Sequence, residues 1–310
     1  MRAFVTTEDL HDLVRDTYGT DRRLHELARL AGGTTKGVYR LTLDDGATVL
    51  LYRWAAEENF WPAQTGLDVG PFQADAGRDG FVRCHALLHE LGVRVPEIVA
   101  LGPDRALVED VRGGTLEALL ERDATAGRQI VGRLGEMLRT MHSHRSPTFG
   151  FPGETPAGFA RQRGLNCLVE AAARDPRIAA ARSRLEEELH KRFAAVRPRS
   201  GYGLIHGELG PDHVLIGPGG EPVLIDIEAA MFFDVEWEHA FLELRFGPLY
   251  PALRTVGPDP ARLALYRLVH YLSLVAGPLQ LIEGDFPHAA FMREIAEGNA
   301  RRALAEVGVR

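Results

Sequence analysis

Lysine is nearly missing from this chain of 310 residues: Lys36 and Lys191 are the only two among 36 basic residues, the others being arginine. Arginines spread this evenly reflect composition rather than a nucleic-acid-binding face. Cysteine is equally scarce. Cys84 and Cys167 stand alone, with no CxxC or Cys/His spacing, which excludes a disulfide framework and a cysteine-based metal site. Long apolar runs are lacking too. The most apolar stretch, 268–282, is broken by His270, Pro278 and Gln280 and is too short to cross a bilayer. Glu8 and Asp9 follow Met1 and Val5 before any apolar run, against a signal segment. The expectation is a soluble, cytoplasmic protein with no nucleic-acid and no membrane partner.

What is present points to two lobes, because 310 residues exceed what one hydrophobic core usually organises. Runs 37–43 and 47–54 favour strands, and Asp44-Asp45-Gly46 between them is a hairpin signal. A helix follows over 78–91, stopped by Gly92, and then a strand pair over 97–101 and 106–111. After Gly113-Gly114 the apolar period becomes helical, with Ile130, Leu134, Met137, Leu138 and Met141 on one stripe. Helix is expected through 159–196. Short strands follow over 214–216 and 223–227, then helix from Asp234 onward, interrupted near 248–260 and at Pro278. The division is placed at residues 1–112 and 113–310. The formal charge of −7 lies wholly in 201–310, which counts against a nucleic-acid partner there.

The chemistry concentrates in 204–216. His206, Glu208, Asp212 and His213 lie on a Gly/Pro loop between apolar strands, a common mounting for catalytic groups. Asp226 and Glu228 follow on the next apolar run and, by the period of two, face the same side. An acid within such a run needs a partner, and the cluster Glu208, His213, Asp226 and Glu228 suits a divalent metal plus one general base. His213 reads either as a ligand or as a packed, hydrogen-bonded histidine. His206 reads as structural, as do Asp234 and Glu238. Lys36 either touches phosphate or is a solvated hairpin lysine.

These residues, in this order, resemble the aminoglycoside phosphotransferase family, which has a protein-kinase-like fold. His206-Gly207-Glu208 matches its His-Gly-Asp catalytic loop, His213 the Asn five residues later, and Asp226 the metal-binding Asp of the next strand. Asp234 and Glu238 match its downstream Gly-Asp-Pro-x-x-Asp acids, and Leu138-Arg139-Thr140-Met141-His142 the end of its central helix. The turn from Gly32 to Gly37 resembles its phosphate-covering loop, and Glu109-Asp110-Val111 its interlobe hinge. The resemblance implies an α+β bilobal fold, with a sheet-plus-helix N-lobe and a mainly helical C-lobe.

It further implies transfer of the γ-phosphoryl group of ATP or GTP to a hydroxyl of an aminoglycoside-like or other natural product, with a place in antibiotic resistance. Glu208 would be the base, and His213, Asp226 and Glu228 would hold Mg²⁺. Gly33, Lys36, Gly37, Arg53, Glu109 and Val111 would hold the nucleotide. The chain departs from the family in several places. No lysine lies on the third strand, where kinases grip the α- and β-phosphates, so Arg53 is the expected substitute. The helix that would offer a partnering Glu reads Phe81-Val82-Arg83. Glu208 stands for Asp, and His213 for Asn. The alternative is therefore a pseudokinase-like protein that binds nucleotide or a small ligand without turnover. Acids of the last third, such as Glu236, Glu243, Glu283 and Asp285, would favour a neutral or cationic acceptor.

Overall fold

The computed structural model describes Arg2, 4–61, 77–149, 155–255 and 257–309. Met1 and Ala3, on which the N-terminal reading partly rests, lie outside the described residues. The first lobe opens with helix α1 (His11–Tyr18), followed by strands β1 (Leu24–Arg29), β2 (Gly37–Leu43) and β3 (Thr48–Arg53). Helix α2 (Arg78–Glu90) and strands β4 (Ile98–Leu101) and β5 (Arg105–Glu109) complete it. The sheet is antiparallel in the order β1-β2-β3-β5-β4. Its hairpin turns where Asp44-Asp45-Gly46 placed it, with Gly46 at φ 82°. Alternation along β3 sends Val49 and Leu51 to one face, with Leu10 and Val14. It sends Leu50 and Tyr52 to the other, against Phe81, Cys84 and Leu88 of α2.

The second lobe is mainly helical. It runs through α3 (Leu116–Arg122), α4 (Ala124–Ser143), the two-residue strand β6 (Arg145–Ser146), α5 (Pro156–Arg174) and α6 (Pro176–Ala195). Then come β7 (Tyr202–Ile205), β8 (Val214–Ile216), β9 (Pro222–Leu224) and β10 (Met231–Phe233). Helices α7 (Val235–Phe246), α8 (Tyr250–Leu253), α9 (Pro260–Glu283) and α10 (Ala289–Ala305) finish the chain. Strands β10, β7 and β6 form one small sheet, and β8 with β9 a hairpin. The architecture is the expected bilobal α+β one. A large apolar cluster joins the lobes, running from Leu50 and Phe81 through Leu134 and Leu138 to Leu204 and Leu242. A second cluster lies among α5, α6, α9 and α10.

One expectation is refined and two are corrected. The 159–196 stretch is two helices, because the Asp175 carboxylate caps the backbone N–H groups of Arg177 and Ile178 and Pro176 takes the first helical position. Helix α9 continues through Pro278, which is buried in its packing. The last apolar strand stops at Leu224, so Asp226 and Glu228 are not strand neighbours. Among the described residues no helix is long and apolar enough to cross a membrane.

Candidate active site

Strand β7 delivers His206, Gly207 and Glu208 into the cleft between the lobes, and the backbone there is clamped from below. The Glu238 carboxylate on α7 accepts the N–H of His206 at 2.7 Å and of Gly207 at 3.3 Å. Trp237 Nε1 donates to the Gly207 carbonyl at 3.0 Å. Gly207 has φ 97°, a conformation that only glycine adopts without strain. The His206 ring is fully buried and donates through Nε2 to the Ile225 carbonyl at 2.9 Å, and burial holds its pKa below the ordinary value. The structural reading of His206 and Glu238 follows from these bonds. Asp234 is also structural, buried between Tyr266, Arg262 and Arg199.

Glu208 projects into the open cleft. Its carboxyl is raised above the usual glutamate range because protein walls the cleft and Asp226 adds negative charge, with Arg163 and His213 opposing. His213, on the turn Pro211–His213, donates through Nδ1 to the Glu208 carbonyl at 2.8 Å. A carbonyl can only accept, so in the neutral ring the lone pair is on Nε2, which lies 3.6 Å from Asp226 Oδ2. Arg245 steadies the same loop through Asp212 at 2.7 Å.

Asp226 is the one non-glycine residue among those described with positive φ, at φ 60° and ψ 45°. That left-handed backbone turns the chain out of β9 and aims the carboxylate into the cleft, where its side chain is 46% exposed. Strain of this kind persists where the surroundings enforce it. Burial would raise the Asp226 carboxyl, but attraction to Lys36 outweighs it and holds the group far below the usual range. Among the described residues no three His, Cys, Asp or Glu side chains are placed so as to hold a metal ion by themselves. Asp226 and the free Nε2 of His213 nevertheless fit a divalent cation whose other ligands are phosphate oxygens and water, the usual manner of Mg²⁺ binding at phosphoryl-transfer sites.

Lys36 is the main surprise. It is 6% exposed, not solvated, and its Nζ bonds Asp226 Oδ1 at 2.6 Å and Glu228 Oε1 at 2.5 Å. Glu228 sits in the turn Ile227–Ala229 beneath α2, and burial together with Asp226 raises its carboxyl. Arg53 does not take the place expected for it. It shares the face of Val49 and Leu51, away from the cleft, and its charged neighbours are Glu58 at 3.8 Å and Asp104 at 3.7 Å. Gly33 permits the turn, since a Cβ there would lie 2.2 Å from the Lys36 carbonyl oxygen. Gly37 leaves room for the buried Glu58 carboxylate, which a Cβ would meet at 2.4 Å. Glu58 was not singled out from the sequence. It accepts from Tyr39 and Arg29 and ties the sheet to the loop beneath it, and only its position after β3 hinted at this.

At the interlobe crossing, the Glu109 N–H is taken by the Glu97 carbonyl at 2.9 Å and its carboxylate by Arg94. Val111 makes no backbone hydrogen bond among the described residues, so its peptide groups face no competitor there. The acids expected to attract a cationic acceptor are neutralised locally. Glu236 pairs with Arg199, Glu243 with Arg267, Glu283 with Arg174 and Asp285 with Arg2. A charge preference for the acceptor therefore loses its support.

Comparison with known proteins bears on the fold and on the family. Among solved structures, a thermostable mutant of aminoglycoside phosphotransferase APH(4)-Ia in its apo form is similar, with a TM-score of 0.66 at 17% identity over 94% of this chain and 98% of that one. LicA in complex with AMP gives 0.64 at 14% identity over 97% and 98%. Spectinomycin phosphotransferase APH(9)-Ia in complex with ADP and spectinomycin gives 0.63 at 15% over 96% and 95%. At these identities the likeness establishes the kinase-like fold. No curated protein matches the sequence. The model of the phosphotransferase enzyme family matches residues 26–252, most of the chain and all of the site just described, and the chain belongs to that family.

Proposed function

We propose that the protein is a small-molecule phosphotransferase that moves the γ-phosphoryl group of ATP or GTP to a hydroxyl of a natural product, with an aminoglycoside-like acceptor as the first candidate. The observation that carries this reading is the convergence of Glu208, His213 and Asp226 at the base of the cleft, with Asp226 held in a left-handed backbone. Family membership supports the same chemistry. Asp226 and His213 Nε2 would hold the divalent cation, which would supply charge neutralisation on the phosphates when bound. Glu208 orients the acceptor hydroxyl and takes its proton, a role suited to its raised carboxyl. The backbone at Val111 receives the nucleotide base, and the turn from Gly33 to Gly37 covers the phosphates. A place in antibiotic resistance follows if the acceptor is an antibiotic.

The test is incubation with Mg-ATP or Mg-GTP and a panel of hydroxylated antibiotics, read by mass. A phosphate adduct that forms with wild type and is lost in Glu208→Gln supports the reading. Nucleotide binding with no adduct on any acceptor, and no hydrolysis, points to a binding protein without turnover.

A further inference from the structure

Two charged groups of the cleft are displaced from where the sequence resemblance leads one to seek them, and they meet each other. Strand β3 carries Tyr52 on its cleft-facing side, packed edge-on against Phe81 with ring centroids 5.5 Å apart. Helix α2 buries Phe81, Cys84, His85 and Leu88, while its acids, Asp79 and Glu90, are exposed. Strand β3 thus carries no lysine, and neither acid of α2 is buried. The ammonium of Lys36 comes instead from the loop before β2 and stands 5.4 Å from the Tyr52 ring. The carboxylate that meets it from the α2 side is Glu228, whose carbonyl receives the Cys84 thiol at 3.7 Å.

We propose that Lys36 and Glu228 form a relocated lysine–glutamate pair, in which Lys36 is the cation that grips the nucleotide phosphates and Glu228 is the positioning residue that keeps its ammonium in the cleft. The assignment rests on the phosphotransferase reading above. An ammonium has three N–H donors, and two are taken by Asp226 and Glu228, which leaves one for a phosphate oxygen. One positive charge facing two carboxylates also leaves the group net negative, ready to accept a divalent cation along with the phosphates. A divalent cation held by Asp226 would compete with Lys36 for that carboxylate. Glu228, with a side chain only 12% exposed, remains to hold the lysine.

The loop is shaped for this role. Gly33 packs so closely on the Lys36 carbonyl that a Cβ would meet its oxygen at 2.2 Å, and the Lys36 side chain runs inward to Asp226 and Glu228. Thr34 anchors the loop, its carbonyl accepting the Phe60 N–H at 2.8 Å and its hydroxyl the Trp61 indole N–H at 3.2 Å. A solvated loop lysine needs none of these contacts.

The experiment measures Mg-ATP, Mg-GTP and adenosine or guanosine binding to the full chain. Lys36→Ala is expected to weaken the bound triphosphate by about 10- to 100-fold, the worth of one or two charge-assisted bonds. Nucleoside binding should stay unchanged, which reports an intact fold. If the alanine variant does not fold, Lys36→Met keeps the volume of the stem and carries the same comparison. Glu228→Gln should weaken the triphosphate by a smaller factor while leaving the half-saturating Mn²⁺ concentration where it is in wild type. Lys36→Ala/Glu228→Gln should bind no more weakly than Lys36→Ala alone, because the glutamate acts through the lysine. Undiminished triphosphate binding by Lys36→Ala overturns the pair, as does a tenfold shift in Mn²⁺ requirement in Glu228→Gln, which would make Glu228 a metal ligand. If wild type binds neither Mg-nucleotide, the phosphotransferase reading falls and the pair falls with it.

Discussion

The carboxylate of Glu238 accepts the backbone N–H of His206 at 2.7 Å, across 32 residues of sequence, and through that bond helix α7 sets the position of the loop that carries Glu208. The same carboxylate also takes the Gly207 N–H, and His142 Nε2 lies 3.5 Å away. Glu238→Ala strands two buried amide donors, and the expected loss is about 2–5 kcal/mol of stability. Glu238→Gln keeps one acceptor and should lose less. Denaturant midpoints of the two variants check the order, and an alanine variant within about 0.5 kcal/mol of wild type would contradict the clamp.

Asp226 combines the metal-binding role proposed for it with an unfavourable backbone. Asp226→Ala and Asp226→Gly should both abolish any metal-dependent thermal shift with nucleotide. The glycine variant should be the more stable of the two by about 1 kcal/mol, since glycine adopts φ 60° freely. Equal melting temperatures would argue against strain at this residue.

Glu208 must be ionised to accept a proton, and its pKa is raised in the fold. The rate of phosphoryl transfer, to an acceptor or to water, should therefore climb with pH through a value above the usual glutamate range and level off beyond it. Glu208→Gln should remove this limb and most of the rate while retaining nucleotide binding. A pH profile that is flat in wild type would take the base role away from Glu208.

His239 and His270 are buried, and burial pushes both down to about 4 from 6.5. The unfolded chain therefore binds protons that the fold refuses, and stability declines as pH falls from 6.5 towards 4. Each histidine contributes a slope of about 1.4 kcal/mol per pH unit across that window and nothing above it. His270→Gln, which keeps a donor for the Trp237 carbonyl, should flatten the acid limb by that amount. Chemical denaturation at pH 7 and pH 5 measures the difference.

Local features were legible in the sequence because local residues dictate them. The hairpin at Asp44-Asp45-Gly46, the α4 stripe and the loop from His206 to His213 are cases of this kind. The break between α5 and α6 was legible too, in Asp175-Pro176, but helix-favouring neighbours masked it. The destination of Lys36 was not legible. Its partners lie 190 and 192 residues away, and its inward course depends on how Phe60 and Trp61 anchor Thr34. The position of Arg53 turns on strand phase. One step along a strand reverses the face, and the sequence alone did not fix which face of β3 looks into the cleft.

The apolar cluster shared by β3, α2, α4, β7 and α7 bears on how the molecule comes apart. Two lobes with separate cores would melt in two steps. Here the underside of the sheet is part of the interior of the helical half, and neither half can lose its packing without exposing the other. Calorimetry should record one cooperative transition, and a fragment ending near the Gly113-Gly114 crossing should remain unfolded in isolation.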